Sequence, residues 1–300
     1  MNIDFNNRVA VVTGAGAGLG RSHALLLASR GAKVVVNDPG STPSGEKTAD
    51  KVVAEIKAAG GEAVAHYGSI AEPEGAADLI DTAVRSFGTV DILVNNAGFL
   101  RDKSFAKIDL NDFDAVMRVH LSGSAYCTRA AWPIMQKNGY GRIVFTTSNA
   151  GLYGNFGQSN YGAAKAGLVG LMNVLAIEGA KYNIRTNIIA PMAATQMTES
   201  VMSADLLPHF KPELVSAAVA YLCSEKIETS GSIVSAAAGH YSSVKLVSSE
   251  GVFFAPGETV TPETIADSWA KINDFSHYRT FSSAGAEVEN IAELLSKSTV

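Results

Sequence analysis

The chain has 300 residues, 47% of them hydrophobic and 18% charged, with a formal net charge of −5. That is ample apolar material for one large α/β domain, so general disorder is excluded, and the acidic balance argues against nucleic acid or an anionic membrane surface as a partner. The two cysteines, Cys127 and Cys223, lie far apart without Cys-x-x-Cys spacing, which excludes a disulfide framework, gives no zinc-type metal site and suits a reducing compartment.

Met1-Asn2-Ile3-Asp4-Phe5 lacks the basic and apolar regions of a signal peptide, and Ser296-Lys297-Ser298-Thr299-Val300 is not a Ser-Lys-Leu address. The expected location is therefore cytoplasmic. No uninterrupted run of about 18 apolar residues occurs, so no membrane span is expected.

Residues 8–13 are a β-branched run that meets the turn Thr13-Gly14-Ala15-Gly16-Ala17-Gly18-Leu19-Gly20. A helical segment over residues 19–30 follows and stops at Gly31. Val34, Val35 and Val36 form a second buried strand, and residues 39–45 read as a loop rich in Gly, Ser and Pro. Ala76, Ile80, Ala83, Val84 and Phe87 fall on one helical face, at offsets of roughly 0, 4, 7, 8 and 11. Ile92, Leu93 and Val94 form another strand, as do Ile143, Val144 and Phe145. Apolar strands alternating with helices belong to a doubly wound parallel sheet with helices on both faces, whose ligand crevice lies at the carboxyl ends of the strands.

No domain boundary is expected before residue 239, beyond which the composition shifts toward Ser, Thr and Glu. Residues 240–300 read as a C-terminal extension, packing on the domain or on a partner copy. Ile265, Trp269 and Ile272 give a helical character to residues 262–275, and a second short helix is expected over residues 291–295.

The glycine turn between the first strand and the first helix suits a pyrophosphate: glycines let the backbone approach closely, and the helix N-terminus offers N–H donors. Gly14, Gly18, Leu19 and Gly20 are the candidate contacts. Asp38, at the end of the second strand, is placed to accept from ribose hydroxyls and to repel a 2′-phosphate. No Arg or Lys stands at Ala17, Asn37 or Pro39 to compensate, which points to NAD rather than NADP. Tyr161 and Lys165 are four residues apart on one face of a helix that carries Leu168, Val169, Met172 and Leu175. A cation one turn from a phenol favours its ionised form, and a phenolate is a general base suited to alcohol oxidation.

Thr13-Gly-x-x-x-Gly18-x-Gly20, Asn95-Asn96-Ala97-Gly98, and Ser148 thirteen residues before Tyr161 and then Lys165 together resemble the short-chain dehydrogenase/reductase family, over nearly all of residues 8–240. The resemblance implies a Rossmann-like dehydrogenase domain over residues 1–239. Tyr161 would be the acid/base, Ser148 would hold the substrate oxygen, and Lys165 would lower the Tyr161 pKa and bind the nicotinamide ribose. Asn96, Ala97, Gly98, Ser69, Ile70, Pro191, Ala193 and Thr195 would line the cofactor.

Two positions depart from the family. Its fourth catalytic member is usually an Asn, where this chain has His120, expected to hold a proton-relay water or the helix bend near Lys165. An Asp often holds the adenine amine, where this chain has Gly68. Arg118-Val119-His120-Leu121, Tyr153-Gly154-Asn155-Phe156-Gly157-Gln158, Leu100-Arg101-Asp102 and the tail Thr261-Pro262-Glu263 resemble one branch of the family, the dehydrogenase parts of the type 2 multifunctional enzymes of fatty-acid β-oxidation, also known as 17β-hydroxysteroid dehydrogenase type 4.

That likeness implies a (3R)-3-hydroxyacyl-CoA dehydrogenase using NAD. A dehydrogenase of hydroxysteroids or other secondary alcohols is the second reading, and a nucleotide-binding regulator without chemistry the third. Tyr153, with Phe156, Met197, Met202 and Leu206, would line the substrate side, on loops over residues 151–158 and 195–208. A homodimer or larger homo-oligomer is expected, and a separate enoyl-CoA hydratase is a possible partner.

Overall fold

The computed structural model describes residues 2–195 and 205–298. Contacts divide it into two compact units, Met1–Ser243 and Val244–Val300. In the first unit the chain runs β1 (Val9–Thr13), α1 (Gly18–Ser29), β2 (Lys33–Asn37), α2 (Thr48–Ala58), β3 (Glu62–His66), α3 (Pro73–Phe87) and β4 (Ile92–Asn95). It continues through α4 (Leu110–Met117), a π-helical turn at Arg118–Gly123, α5 (Ser124–Asn138), β5 (Gly141–Thr146), α6 (Asn149–Tyr153), α7 (Ser159–Gly179), β6 (Ile184–Met192), α8 (Pro212–Cys223), β7 (Ile233–Ala237) and β8 (His240–Val244).

The strands form one sheet in the order β3-β2-β1-β4-β5-β6-β7-β8. The pairs from β3 through β7 are all parallel. This is the doubly wound sheet that the alternating pattern predicts. All five residues of β1 and all six of β5 are buried. A strand covered by helices on both faces needs apolar side chains on both, and each buried Val or Ile there stabilises by about 1.5–3 kcal/mol. The chain order reverses between β1 and β4, so the loops after Thr13 and Asn95 splay apart and open a crevice. The sheet ends in a tight hairpin: Ala238 and Gly239 both have positive φ, 47° and 83°, the two-residue turn that returns a strand antiparallel.

Details of the pattern are adjusted by packing. The buried stripe of α3 is Ala76, Leu79, Ile80 and Ala83, whereas Val84 turns 36% outward. The absence of a continuous apolar run in the sequence predicts no helix of membrane-spanning character. Yet α7 with its continuation to Tyr182 is long and apolar enough to cross a bilayer by length and composition. Its packing on β6, with Asn160 and Lys165 buried along it, is that of a helix built onto the face of a sheet.

The second unit holds β9 (Ser248–Ser249), α9 (Pro262–Ile272), β10 (Tyr278–Arg279) and α10 (Ala284–Ser298), with β9 and β10 paired antiparallel. Thr261 caps α9 in a reciprocal capping box with Thr264. The last helix is a 15-residue segment, much longer than the five residues expected.

Candidate active site

The turn after β1 is built by backbone requirements. Gly14 and Gly18 have positive φ, 61° and 53°, a conformation that side chains with a Cβ rarely adopt. A Cβ on Gly14 would also lie 2.7 Å from Ala97 Cα, and one on Gly20 would overlap the Gly14 carbonyl. The turn is tied to the end of β4 by two residues. Thr13 Oγ1 accepts from the backbone N–H groups of Asn96 and Ala97, each at 3.0 Å, and Asn96 Nδ2 donates to the carbonyls of Thr13 and Gly14 at 3.0 and 3.1 Å. Asn96 therefore lines the crevice through its backbone, while its amide holds the two loops together. Thr13, which motif reading treats as the start of the turn, is the other half of that clasp.

The first turn of α1 has no side-chain cap and no acidic residue. Its N–H groups and dipole give this turn a preference for an anion. Thr195 approaches the same turn, its Cγ2 lying 3.4 Å from where a Cβ on Gly18 would stand. It follows Ala193, which is buried at the end of β6. Ile70 is buried, and its carbonyl and side chain pack on Gly123 of the π-helical turn. Ser69 and Pro191 also lie at the carboxyl edge of the sheet, after β3 and near the end of β6. The cradle fits a dinucleotide: uncapped N–H donors, glycine backbone and a carboxylate at the next strand end converge on the switch point.

Asp38 is held by three donors. Gly16 N–H reaches Oδ2 at 3.0 Å, and Gly40 N–H and the Thr48 hydroxyl reach Oδ1 at 2.7 and 2.8 Å. A carboxylate so fixed keeps its remaining lone pairs in one direction. The glycine at position 68 also has a local cause. His66, at the end of β3, is buried, with Nδ1 2.9 Å from Asn37 Nδ2 and Nε2 3.1 Å from Asp78 Oδ2. A Cβ on Gly68 would stand 2.7 Å from the His66 ring. The aspartate common in the family would collide with this imidazole.

Ser148, Tyr161 and Lys165 come together beside that cradle. Ser148 follows β5 as the N-cap of α6, and its Oγ accepts from Ala150 N–H at 3.2 Å. Tyr161 and Lys165 lie in the first turns of α7, and the Lys165 ammonium is 5.5 Å from the centre of the Tyr161 ring. Lys165 Nζ donates to the Thr146 carbonyl at 2.6 Å, and Thr147 Oγ1 donates to the Lys165 carbonyl at 2.7 Å.

Burial dominates the electrostatics of Tyr161 and Lys165. Burial pushes the phenol up, hydrogen bonding with Ser148 opposes this, and the charge of Asp102 adds to it. The Lys165 ammonium is itself pulled down to about 7 by burial. Desolvation disfavours both charged forms, so it outweighs their mutual support.

His120 occupies the π-helical turn. Its Nε2 is 2.8 Å from the Phe99 carbonyl and 3.0 Å from the Phe99 nitrogen. Its ring meets the Tyr161 ring edge-to-face, with centroids 5.2 Å apart and planes at 88°. Its carbonyl accepts from Ser124 Oγ at 2.7 Å. A Cβ on Gly98 would overlap the imidazole, so Gly98 provides the space in which the ring lies. π turns commonly occur at functional sites because they rotate one residue out of the helical pattern. Phe99 is a contact that motif reading does not single out.

On the open side, Tyr153 is 73% and Phe156 91% exposed, and Leu206 is also exposed. None of them is enclosed with Ser148. Met197 and Met202 lie outside the described residues.

Residues 8–206 match the short chain dehydrogenase family. The chain belongs to that family. Its relatives include the peroxisomal multifunctional enzyme type 2 of Drosophila melanogaster, 49% identical over 299 residues, covering 98% of this chain and 50% of the fly protein. The peroxisomal hydratase-dehydrogenase-epimerase of Saccharomyces cerevisiae is 51% identical over 91% of this chain and 31% of its own length. This short-chain dehydrogenase thus spans half or less of those two relatives. The full-length fly enzyme is also similar in structure, with a TM-score of 0.85 at 43% identity over 98% of this chain and 50% of that one. A 7α-hydroxysteroid dehydrogenase complexed with NADH and 7-oxoglycochenodeoxycholic acid has a TM-score of 0.73 at 33% identity, covering 79% of this chain and 96% of its own. Family and neighbour together give the cofactor class, a nicotinamide dinucleotide.

Proposed function

We propose that this short-chain dehydrogenase interconverts a (3R)-3-hydroxyacyl-CoA and the 3-oxoacyl-CoA, with NAD as its cofactor. The observation that carries the chemistry is the convergence of Ser148, Tyr161 and Lys165 beside an uncapped helix N-terminus. The acyl-CoA assignment rests on the likeness to the multifunctional enzymes, which extends over 98% of the chain and so includes residues beyond the family match.

Gly14, Gly18 and Gly20 would hold the pyrophosphate, Asp38 the adenosine ribose, and Lys165 the nicotinamide ribose. When bound, the dinucleotide accepts or returns the hydride, and its oxidised form adds a positive charge to this pocket. Ser148 and Tyr161 hold the 3-oxygen of the substrate. In the oxidising direction the Tyr161 phenolate takes the hydroxyl proton as the carbonyl forms. Reduction reverses this, and the phenol gives its proton to the carbonyl oxygen. Buried Lys165, held by the Thr146 carbonyl, is fixed beside the phenol and orients it and the nicotinamide ribose. Remote contacts to the CoA moiety supply binding energy that aligns the reacting carbon.

The test is a turnover panel of a (3R)-3-hydroxyacyl-CoA, its CoA-free acid and a 17β-hydroxysteroid, each with NAD and NADP. The thioester with NAD is expected to give the highest catalytic efficiency. Equal or better turnover of the free steroid would replace the acyl-CoA reading with the hydroxysteroid one, which the 7α-hydroxysteroid neighbour favours. A preference for NADP would remove the role given to Asp38.

We also propose self-association. No residue of α9 or α10 is buried, and Ile265, Trp269, Val288, Ile291 and Leu295 are exposed. Apolar faces of this kind mark interfaces. Light scattering at micromolar concentration is expected to give at least a dimer mass; a monomer refutes it.

A further inference from the structure

We propose that His120 is the positioning residue for Tyr161: its ring, anchored on the Phe99 peptide and seated on Gly98, braces the proton-transfer side chain and keeps water from it. The inference rests on Tyr161 being the proton-transfer residue of the proposed dehydrogenase, and it adds a role for a side chain that differs from the amide usual at this place.

Three observations meet at this ring. Its edge-to-face contact with Tyr161, at 5.2 Å and 88°, is in the favourable range for aromatic pairs. Its Nε2 lies 2.8 Å from the Phe99 carbonyl, to which it donates when it carries the hydrogen. Its seat exists because position 98 has no Cβ. The π-helical turn links this ring to two further surfaces. Leu121 packs on Gly167 of α7, and Gly123 packs on Ile70 of the cofactor loop. Three neighbouring residues of one turn thus register the wall after β4, the helix that carries Tyr161, and the loop after β3.

The ring stays neutral near neutral pH. Burial first, then the charge of Lys165, lowers its pKa to about 3 against the hydrogen bond with Phe99. Nδ1 is buried without a partner. A bare lone pair there is tolerated better than an orphan N–H, so the tautomer with hydrogen on Nε2, donating to the Phe99 carbonyl, fits. His120 is therefore a fixed shape rather than a shuttle.

The groups that face Tyr161 are His120 from the π-helical turn, Ser148 from the N-terminus of α6, Lys165 from α7 and the charge of Asp102 from the segment after β4. Desolvation is the largest influence on the phenol. His120→Ala opens a space large enough for water and polar enough, at the Phe99 peptide and Lys165, to hold it. Water there stabilises the phenolate.

The experiment is an ultraviolet difference titration of tyrosinate in the purified protein, with the same titration in a Tyr161→Phe background subtracted. It needs no substrate, so it stands apart from the identity of the alcohol. His120→Ala is expected to lower the Tyr161 titration by about one pH unit or more and, on the high-pH plateau where the phenolate is fully formed, to lower kcat for oxidation about tenfold to a hundredfold through lost positioning. NADH affinity, read by fluorescence, stays within about threefold. His120→Phe, which restores a ring, is expected to return the titration most of the way. His120→Asn, with no ring, behaves as alanine does and serves if the alanine variant fails to fold. An unmoved Tyr161 titration in both ringless variants overturns the proposal. So does a phenylalanine variant indistinguishable from them. Loss of thioester turnover by the parent protein, with the titration shift intact, would instead remove the substrate assignment and leave the brace standing.

Discussion

Tyr161→Phe is expected to lower kcat by about a thousandfold or more, while the dissociation constant for NADH changes by no more than about twofold. The substitution removes one oxygen and keeps the ring, so the edge-to-face contact with His120 and the packing at the start of α7 persist. What disappears is the group proposed to take and return the proton. General acid–base transfer contributes about 10²–10⁴-fold, and here the same oxygen also shares the hold on the substrate with Ser148. The wild-type profile carries a related sign. Burial holds the phenol above its usual range, so the phenolate is the scarce form at neutral pH, and the oxidising direction is expected to speed up as pH rises. Reduction needs the phenol and is expected to keep its rate to higher pH. Stopped-flow turnover in both directions, with NADH binding by fluorescence, checks both statements. Activity in the phenylalanine variant comparable with the parent would place the base elsewhere.

The parts of this site that depend on local chemistry are legible in the sequence. Gly14 and Gly18 announce a turn that only glycine makes comfortably, and their context between an apolar strand and a helix suits the turn to an anion. Tyr161 and Lys165 share a face because of helical spacing alone. The β-branched runs at β1, β2 and β5 give the parallel sheet, since only a strand covered on both sides needs them.

Other parts depend on register between distant segments. The His66 network joins residues that lie 29 and 12 positions apart, and only the pairing of β2 with β3 brings Asn37 beside His66. Without that, Gly68 reads as a lost aspartate rather than as room for an imidazole. The π-helical turn is not legible beforehand, because the phase shift of about 100° that one inserted residue causes cannot be told from an ordinary irregularity in the apolar pattern. It is nevertheless what carries His120 to Tyr161. The burial that dominates the electrostatics of Tyr161 and Lys165 is a property of the assembled fold and cannot be read from a four-residue spacing.

Two buried histidines are expected to make the fold acid-labile well above the carboxylate range. His23 and His120 are 1% and 2% exposed, and burial lowers each pKa to about 3 from the ordinary 6.5. His23 lies between α1 and α8, with Nδ1 2.7 Å from Ser216 Oγ, which is in turn 2.7 Å from Ser22 Oγ, while its Nε2 is buried without a partner. Among the described residues neither ring has a carboxylate partner to stabilise a charge. The folded-state pKa is depressed, so between pH 6.5 and pH 3 the unfolded chain takes up protons that the folded chain does not. The stability that these groups permit is complete above about pH 6.5 and is lost as pH falls below it. The slope is about 1.4 kcal/mol per pH unit for each histidine, or about 4 kcal/mol for the pair at pH 5. That is a large part of the ~5–15 kcal/mol typical of a domain. Urea unfolding at pH 7.5 and pH 5.0 is expected to show this difference, and His23→Gln, which keeps a hydrogen-bonding group for Ser216 but does not titrate, is expected to remove about half of it. The slope m is measured at each pH, so a change in unfolded-state compactness would appear as a change in m. Equal midpoints at the two pH values, or an undiminished pH effect in the glutamine variant, would show that the α1–α8 interface accepts a charged imidazole.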